Sequence, residues 1–300
     1  MMDSWVLLSL LTVMLCGISG IISKMALRSV PSSSLMMASF LIIMPTSLLL
    51  LIAYIWAAGL DGVDLASVLL GLATALIANL GFFLYFDALE RGPLTIVGSV
   101  TAAYPVIIIV LAILLLGETL TLSQGIGVTV IIFGVVALTY IHGLSGAKSA
   151  CPPAAIALSI MAFLCWGAWG VMLKTVLESI DVVLYIGLSC LVMPFLTIVY
   201  LRLKGESIFG FGEFKHIFKA SATSLPVVLA IISIEAEQLG FFSETFAVSA
   251  GPASLVFPVV ASYPVVTIVL AFFLLRERIS RVEYVLIALV LAGIILISTM

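Results

Sequence analysis

Residues 81–118 read GFFLYFDALERGPLTIVGSVTAAYPVIIIVLAILLLGE, and residues 240–277 read GFFSETFAVSAGPASLVFPVVASYPVVTIVLAFFLLRE. The two stretches align without a gap at an offset of 159 residues, setting Gly92-Pro93 against Gly251-Pro252, Tyr104-Pro105 against Tyr263-Pro264 and Glu118 against Glu277. The same offset carries Asn79 onto Gln238, Gln124 onto Glu283 and Gly134 onto Gly293. Earlier in each half, Gly17, Gly20 and Lys24 match Gly167, Gly170 and Lys174 at an offset of 150, and Met44-Pro45 faces Met193-Pro194. An apolar composition repeats Leu and Val freely. It does not bring polar, glycine and proline positions into register, so the chain carries an internal repeat.

What surrounds the repeat is lipid-compatible. The 300 residues are 64% hydrophobic and 9% charged, with a mean hydropathy of +1.38. A soluble domain carries about a quarter charged residues, so the solvent this chain is built for is the bilayer. Apolar stretches fall at about 5–27, 34–57, 65–89, 94–116, 122–141, 153–176, 182–203, 220–248, 254–275 and 281–299. Each is too long for a buried strand and lacks the alternation of a lipid-facing barrel, which predicts helices of the roughly 20 residues a span needs. The expected fold is an all-α integral membrane protein of ten transmembrane helices in two five-helix repeats, residues 1–142 and 153–300, joined by a linker at 143–152. The segment 204–219 places Phe214, Ile217 and Phe218 among charges, the pattern of a short interfacial helix.

A unit of five helices is odd, so the second copy must enter the membrane from the opposite face. Charge supports this independently. Loops after the odd-numbered spans hold Arg28, Arg91, Lys148, Arg202, Lys204, Lys215, Lys219, Arg276, Arg278 and Arg281, whereas the other loops hold acids such as Asp3, Asp61, Asp64, Glu118, Glu178 and Asp181. Basic loops stay cytoplasmic. The expectation is therefore a multi-pass protein of the cell (inner or plasma) membrane with inverted repeats and both termini outside. No cleavable signal is expected, because Met1-Met2-Asp3-Ser4 has no basic region before the first apolar run.

With these residues in view, the chain resembles the drug/metabolite transporter superfamily, in its ten-helix EamA-like branch. The resemblance covers essentially the whole sequence. It rests on Trp166-Gly167 with its degenerate partner Cys16-Gly17, on Ala88-Leu89-Glu90-Arg91-Gly92-Pro93, on the two Tyr-Pro pairs, and on Leu115-Leu116-Gly117-Glu118. It implies a carrier that moves small metabolites, amino acids or drugs, often outward. It also implies cytoplasmic termini, against the charge distribution.

Carriers with inverted repeats bind substrate near the bilayer midplane, where the halves meet and helices are interrupted. Pro105 and Pro264 fall near the centres of the fourth and ninth spans, where each removes one hydrogen bond and frees a carbonyl one turn back, at Thr101 and Val260. Tyr104 and Tyr263, placed symmetrically before them, offer a ring face and a hydroxyl to a ligand, or else fill the core. Asn79 and Gln238 form a pseudo-symmetric amide pair at mid-depth. Trp166 and Trp169 are too deep for an interfacial belt and either wall a cavity or pack. Glu235 and Glu237 are the carboxylates closest to the centre of their span and are candidates for proton coupling, the alternative being neutral interhelical glue. Two residues apart, they point to different faces, with Glu237 sharing its face with Phe241 and Glu244. Lys24 and Lys174 lie roughly 12–14 Å from the span midpoints and either snorkel or gate. Asp87 and Glu244 are read as helix-end groups solvated at the interface.

Other function classes fit poorly. A net charge of -3 argues against nucleic acid. A membrane enzyme needs a nucleophile or metal constellation, and His142 and His216 stand alone in loops. The four cysteines, Cys16, Cys151, Cys165 and Cys190, lack CxxC or Cys/His spacing and read as packing residues. A sensor or scaffold lacks room for an output domain, and a channel lacks a charged ring or filter loop. The reading is a non-enzymatic, alternating-access secondary transporter, an exporter by the resemblance. Its partners are a small-molecule substrate, the bilayer and candidate protons. No cofactor or metal is expected, and the chain works as a monomer or a homodimer.

Overall fold

The computed structural model describes residues 3–26, 32–59, 62–144, 151–203, 225–276 and 278–298. The interfacial helix expected at 204–219, Glu277 and most of the 143–152 linker lie outside the described residues. The described residues form twelve helices: α1 (Ser4–Ala26), α2 (Ser32–Ala58), α3 (Leu65–Arg91), α4 (Leu94–Ala102), α5 (Pro105–Leu115), α6 (Leu122–Leu144), α7 (Pro153–Leu177), α8 (Val182–Leu203), α9 (Leu225–Ala250), α10 (Ala253–Val260), α11 (Tyr263–Leu275) and α12 (Arg281–Ser298). Joined across their short breaks, α4/α5 and α10/α11 each form one rod, which leaves ten rods among the described residues. Eight of these are long and apolar enough to cross a membrane by length and composition. The α9 rod carries Glu235, Glu237 and Glu244.

The repeat is interlocked. The first helix of each half packs on the third helix of the other, α1 on α9 and α7 on α3, while α2 meets α8 and α6 meets α12. Small residues allow these crossings, and they do so in symmetric pairs. A Cβ built at Gly17 would stand 2.5 Å from Val266, and one at Gly167 would stand 2.5 Å from Ile107, its repeat equivalent. Likewise Gly134 meets Val290, and Gly293 meets Ile131, with built Cβ distances of 2.5 and 2.8 Å. Close backbone approach of this kind is how helices associate where lipid removes the hydrophobic drive.

The termini of α6 and α12 repeat one device. The Thr121 N–H donates to Gln124 Oε1 at 3.0 Å and the Gln124 N–H to Thr121 Oγ1 at 3.3 Å. In the second half the Ser280 N–H donates to Glu283 Oε2 at 2.6 Å and the Glu283 N–H to Ser280 Oγ at 3.3 Å. Both are capping boxes. Asp64 caps α3 in a simpler way, accepting from the Ser67 N–H at 3.3 Å, and hydrogen bonding to Ser67 holds its carboxyl below the usual range.

The proline breaks differ in detail from the sequence expectation. The Thr101 carbonyl is not left free, because the chain tightens and the Tyr104 N–H donates to it at 3.0 Å. Pro105 then opens α5 as a first-turn residue whose missing N–H leaves nothing unsatisfied, and Pro264 sits equally early in α11. Both rods are thus stopped and restarted, and in the fourth the carbonyl expected to be free is bonded within the break.

Candidate functional site

The breaks at Tyr104 and Tyr263 lie between the two halves, and the side chains around them form two related half-sites. In one, Trp166 of α7 lies against α3: its Nε1 donates to the Ala78 carbonyl at 3.3 Å, its ring covers Gly81, and its centroid is 5.5 Å from that of Tyr85. Tyr104 meets Trp166 edge-on at 6.0 Å and Phe257 at 6.2 Å. Trp169 is deeper, 7% exposed, with Nε1 donating to Tyr185 Oη at 3.3 Å and its ring edge-to-face with Phe257 at 5.4 Å. Trp166 therefore forms part of a half-open wall, and Trp169 packs behind it.

The other half-site occupies the symmetric position between α1 and α9. Cys16, the repeat equivalent of Trp166, covers Gly240 as Trp166 covers Gly81. Ser19, the equivalent of Trp169, hydrogen-bonds Glu237. Glu237 and Glu244 occupy the positions of Ala78 and Tyr85 in the first half. The two carboxylates are within electrostatic reach of each other and of Cys16 and Tyr263, and Glu244 also of Tyr104 and Tyr185. Glu237 and Tyr263 are exposed, Tyr263 at 42%, although side chains from α1, α3 and α9 lie around them. We read the seam that they share between the halves as a cleft.

That cleft is packed solid toward the face that carries the N-terminus of α1. All eight residues of α10 are buried, and the Glu118 carboxylate at the end of α5 closes over its start, accepting from the Ala253 N–H at 2.7 Å, the Ser254 N–H at 2.9 Å and the Ser254 hydroxyl. A carboxylate on free N–H groups is favoured at a helix N-terminus. Lys174 holds the same face: its Nζ donates to the Val248 and Gly251 carbonyls, both at 2.9 Å, capping the end of α9. In contrast α4, the repeat counterpart of α10, leaves Val100, Ala102, Ala103 and Tyr104 part-exposed.

Other sequence candidates sit elsewhere. Gln238 is 4% exposed and tied to α2, accepting from Thr46 Oγ1 at 2.9 Å and donating to Ser47 Oγ at 2.8 Å. Asn79 turns back onto its own helix, donating to the Ala75 carbonyl at 2.8 Å. The α8 residues equivalent to Thr46 and Ser47 are Phe195 and Leu196, which offer it no hydroxyl. Glu235 is half-buried on a different face of α9 from Glu237. Lys24 lies in the last turn of α1 and is exposed. Among the described residues no cluster of metal-ligating side chains occurs.

Two residues read as interface groups are placed otherwise. Glu244 is only 9% exposed, because α9 runs on to Ala250 and α10 follows at once, leaving it well inside the bundle. Its spacing of seven residues from Glu237 was the available signal. Asp87 accepts from Tyr200 Oη at 3.2 Å and from Arg91 at 3.5 Å, so it bridges helices as well as meeting solvent.

The EamA-like transporter family matches residues 3–140 and 153–299, one match in each half. The chain belongs to the EamA-like transporter family. A solved crystal structure of a protein superposes on this EamA-like chain with a TM-score of 0.74, over 99% of this chain and 96% of the other, at 18% identity, which shows a shared fold. A curated relative, the uncharacterized protein MJ1333.1 of Methanocaldococcus jannaschii, is 39% identical over 66 residues, 22% of this chain and 48% of that protein. The chain thus matches about half the length of that relative.

Proposed function

We propose that this EamA-like chain is an alternating-access secondary carrier that exports a small metabolite, amino acid or drug-like molecule in exchange for protons. The observation that carries the reading is the seam between the inverted repeats, where the exposed Glu237 lies near the buried Glu244 and one face is sealed by α10 while α4 leaves the other half-open. A carboxylate in a low-dielectric site must be protonated or paired. The groups acting on these two are Ser19, Cys16, Tyr104, Tyr185, Tyr263 and each other, with no Lys or Arg among them in the described residues. Protons are then the ordinary counter-charge, and substrate entry can displace them. One chain supplies both half-sites, so a monomer suffices. The charge asymmetry of the loops supports external termini, with the half-open side cytoplasmic.

The test is counterflow and pH-gradient-driven uptake in proteoliposomes. Wild type is expected to respond to an imposed pH gradient, and Glu237→Gln with Glu244→Gln is expected to abolish that response. If the doubly substituted carrier kept the full pH response, proton coupling through α9 would be wrong.

A further inference from the structure

The two halves of the cleft have diverged in opposite chemical directions from one geometry. Trp166 and Cys16 sit at equivalent positions and cover equivalent glycines, Gly81 and Gly240. On the Trp166 side, the facing helix α3 supplies Ala78 and Tyr85. On the Cys16 side, α9 supplies Glu237 and Glu244 at those two positions. A thiol replaces an indole just where carboxylates replace a methyl and a phenol, so that half gains both room and negative charge.

Glu244 adds a second observation. It is 9% exposed and accepts no hydrogen bond from any described residue, whereas Glu237 has Ser19. Every other buried carboxylate in the described residues is satisfied: Glu283 accepts from Ser280 and meets His142 Nδ1 at 2.9 Å. A buried, unpaired carboxyl costs free energy that the fold recovers nowhere else, which marks it as a group reserved for something that arrives.

We infer that the cleft takes an organic cation, a protonated or quaternary amine bearing an aromatic or bulky apolar body, with its charge between Glu237 and Glu244 and its body against Tyr104 and Trp166. The inference rests on the carrier reading and narrows it. An anion would meet two carboxylates with no cation beside them. A neutral solute could donate a hydrogen bond to Glu244 but would bring it no counter-charge. An inorganic ion would make no use of the half-open aromatic wall, which attracts organic cations through both area and ring quadrupole.

The experiment is equilibrium binding to the purified full-length chain in detergent, at mildly alkaline pH, with three probes of nearly the same shape: 2-phenylethylammonium, 2-phenylethanol and 3-phenylpropionate. The ammonium is expected to bind at least about tenfold more tightly than the alcohol, and the propionate most weakly. Glu244→Gln and Glu237→Gln are expected to erase the difference between ammonium and alcohol, whereas Trp166→Phe weakens both alike. The triple substitution Cys16→Trp, Glu237→Ala and Glu244→Tyr, which copies the aromatic half onto the acidic one, is expected to remove ammonium binding. Alcohol or propionate binding as tightly as the ammonium overturns the inference, as does a preference that survives both glutamine substitutions, or no binding by any probe. The isostere series on the unmodified chain decides the matter even if a variant does not fold. Counterflow separates the two readings: transport of a neutral or anionic solute sinks the cation and keeps the carrier, while ammonium binding without counterflow of any cation does the reverse.

Discussion

Gly167 shows at the scale of one residue how tightly the halves are fitted. A methyl group there would stand 2.5 Å from both Cβ and Cγ2 of Ile107, a β-branched side chain with little freedom to move. Gly167→Ala is therefore expected to cost about 1–3 kcal/mol through overpacking. Thermal unfolding in detergent should register the loss, and Ile107→Ala added to it should restore part of the stability. A double-substitution cycle with no coupling would mean the crossing relaxes without strain. The mirror pair, Gly17 with Val266, should behave alike. Both glycines are legible in the sequence as matched small residues, because close packing selects size and size is written in the residue type. Glu244 was harder to place. Its depth depends on where α9 ends, and helix ends are the least certain part of a sequence reading. Gln238 illustrates the complementary difficulty: an amide's partner, here Thr46 and Ser47 of α2, depends on which helix lies alongside, and no local pattern specifies that.

At the scale of elements, the two interrupted rods are the part of the fold most fully written in the chain. Gly-Pro opens each and Tyr-Pro divides each, and proline's fixed φ and missing N–H leave the backbone little alternative. The closure of the N-terminal face is less legible, since Glu118 reaches helix α10 across 135 residues of sequence. That contact makes a prediction about α10 alone. Glu118→Ala removes the acceptor of two backbone N–H groups and one hydroxyl, and is expected to destabilise the start of α10 by about 1–2 kcal/mol. Hydrogen exchange at the Ala253 and Ser254 amides should accelerate by about tenfold, since 1.4 kcal/mol is a factor of ten, while amides of α6 and α12 keep their protection. Unchanged exchange at those two amides would show that Glu118 does not hold the half-helix.

The whole molecule is a pair of mirrored halves held in one unsymmetrical arrangement. Orientation comes first: a cysteine at Ser280 should be shielded from an impermeant maleimide applied to intact cells and one at Thr119 should be labelled, and the reverse pattern would overturn the external termini. The asymmetry itself then specifies the motion. Val100 of α4 is part-exposed while its repeat equivalent Val259 of α10 is buried at 0% exposure. Because the two positions are related by the repeat, a second arrangement with their roles exchanged is built from the same contacts and should differ in free energy by only a few kcal/mol, as bistable transporters require. On the proposed alternating-access reading, turnover is the exchange between them. In Val100→Cys and Val259→Cys variants, measured against wild-type labelling as the baseline, addition of a transported solute should therefore slow labelling at position 100 and speed it at position 259, on opposite faces and to comparable extents. If both rates moved in the same direction, the protein would be loosening or tightening as one body, and mirrored exchange of the two half-helices would not be its mechanism.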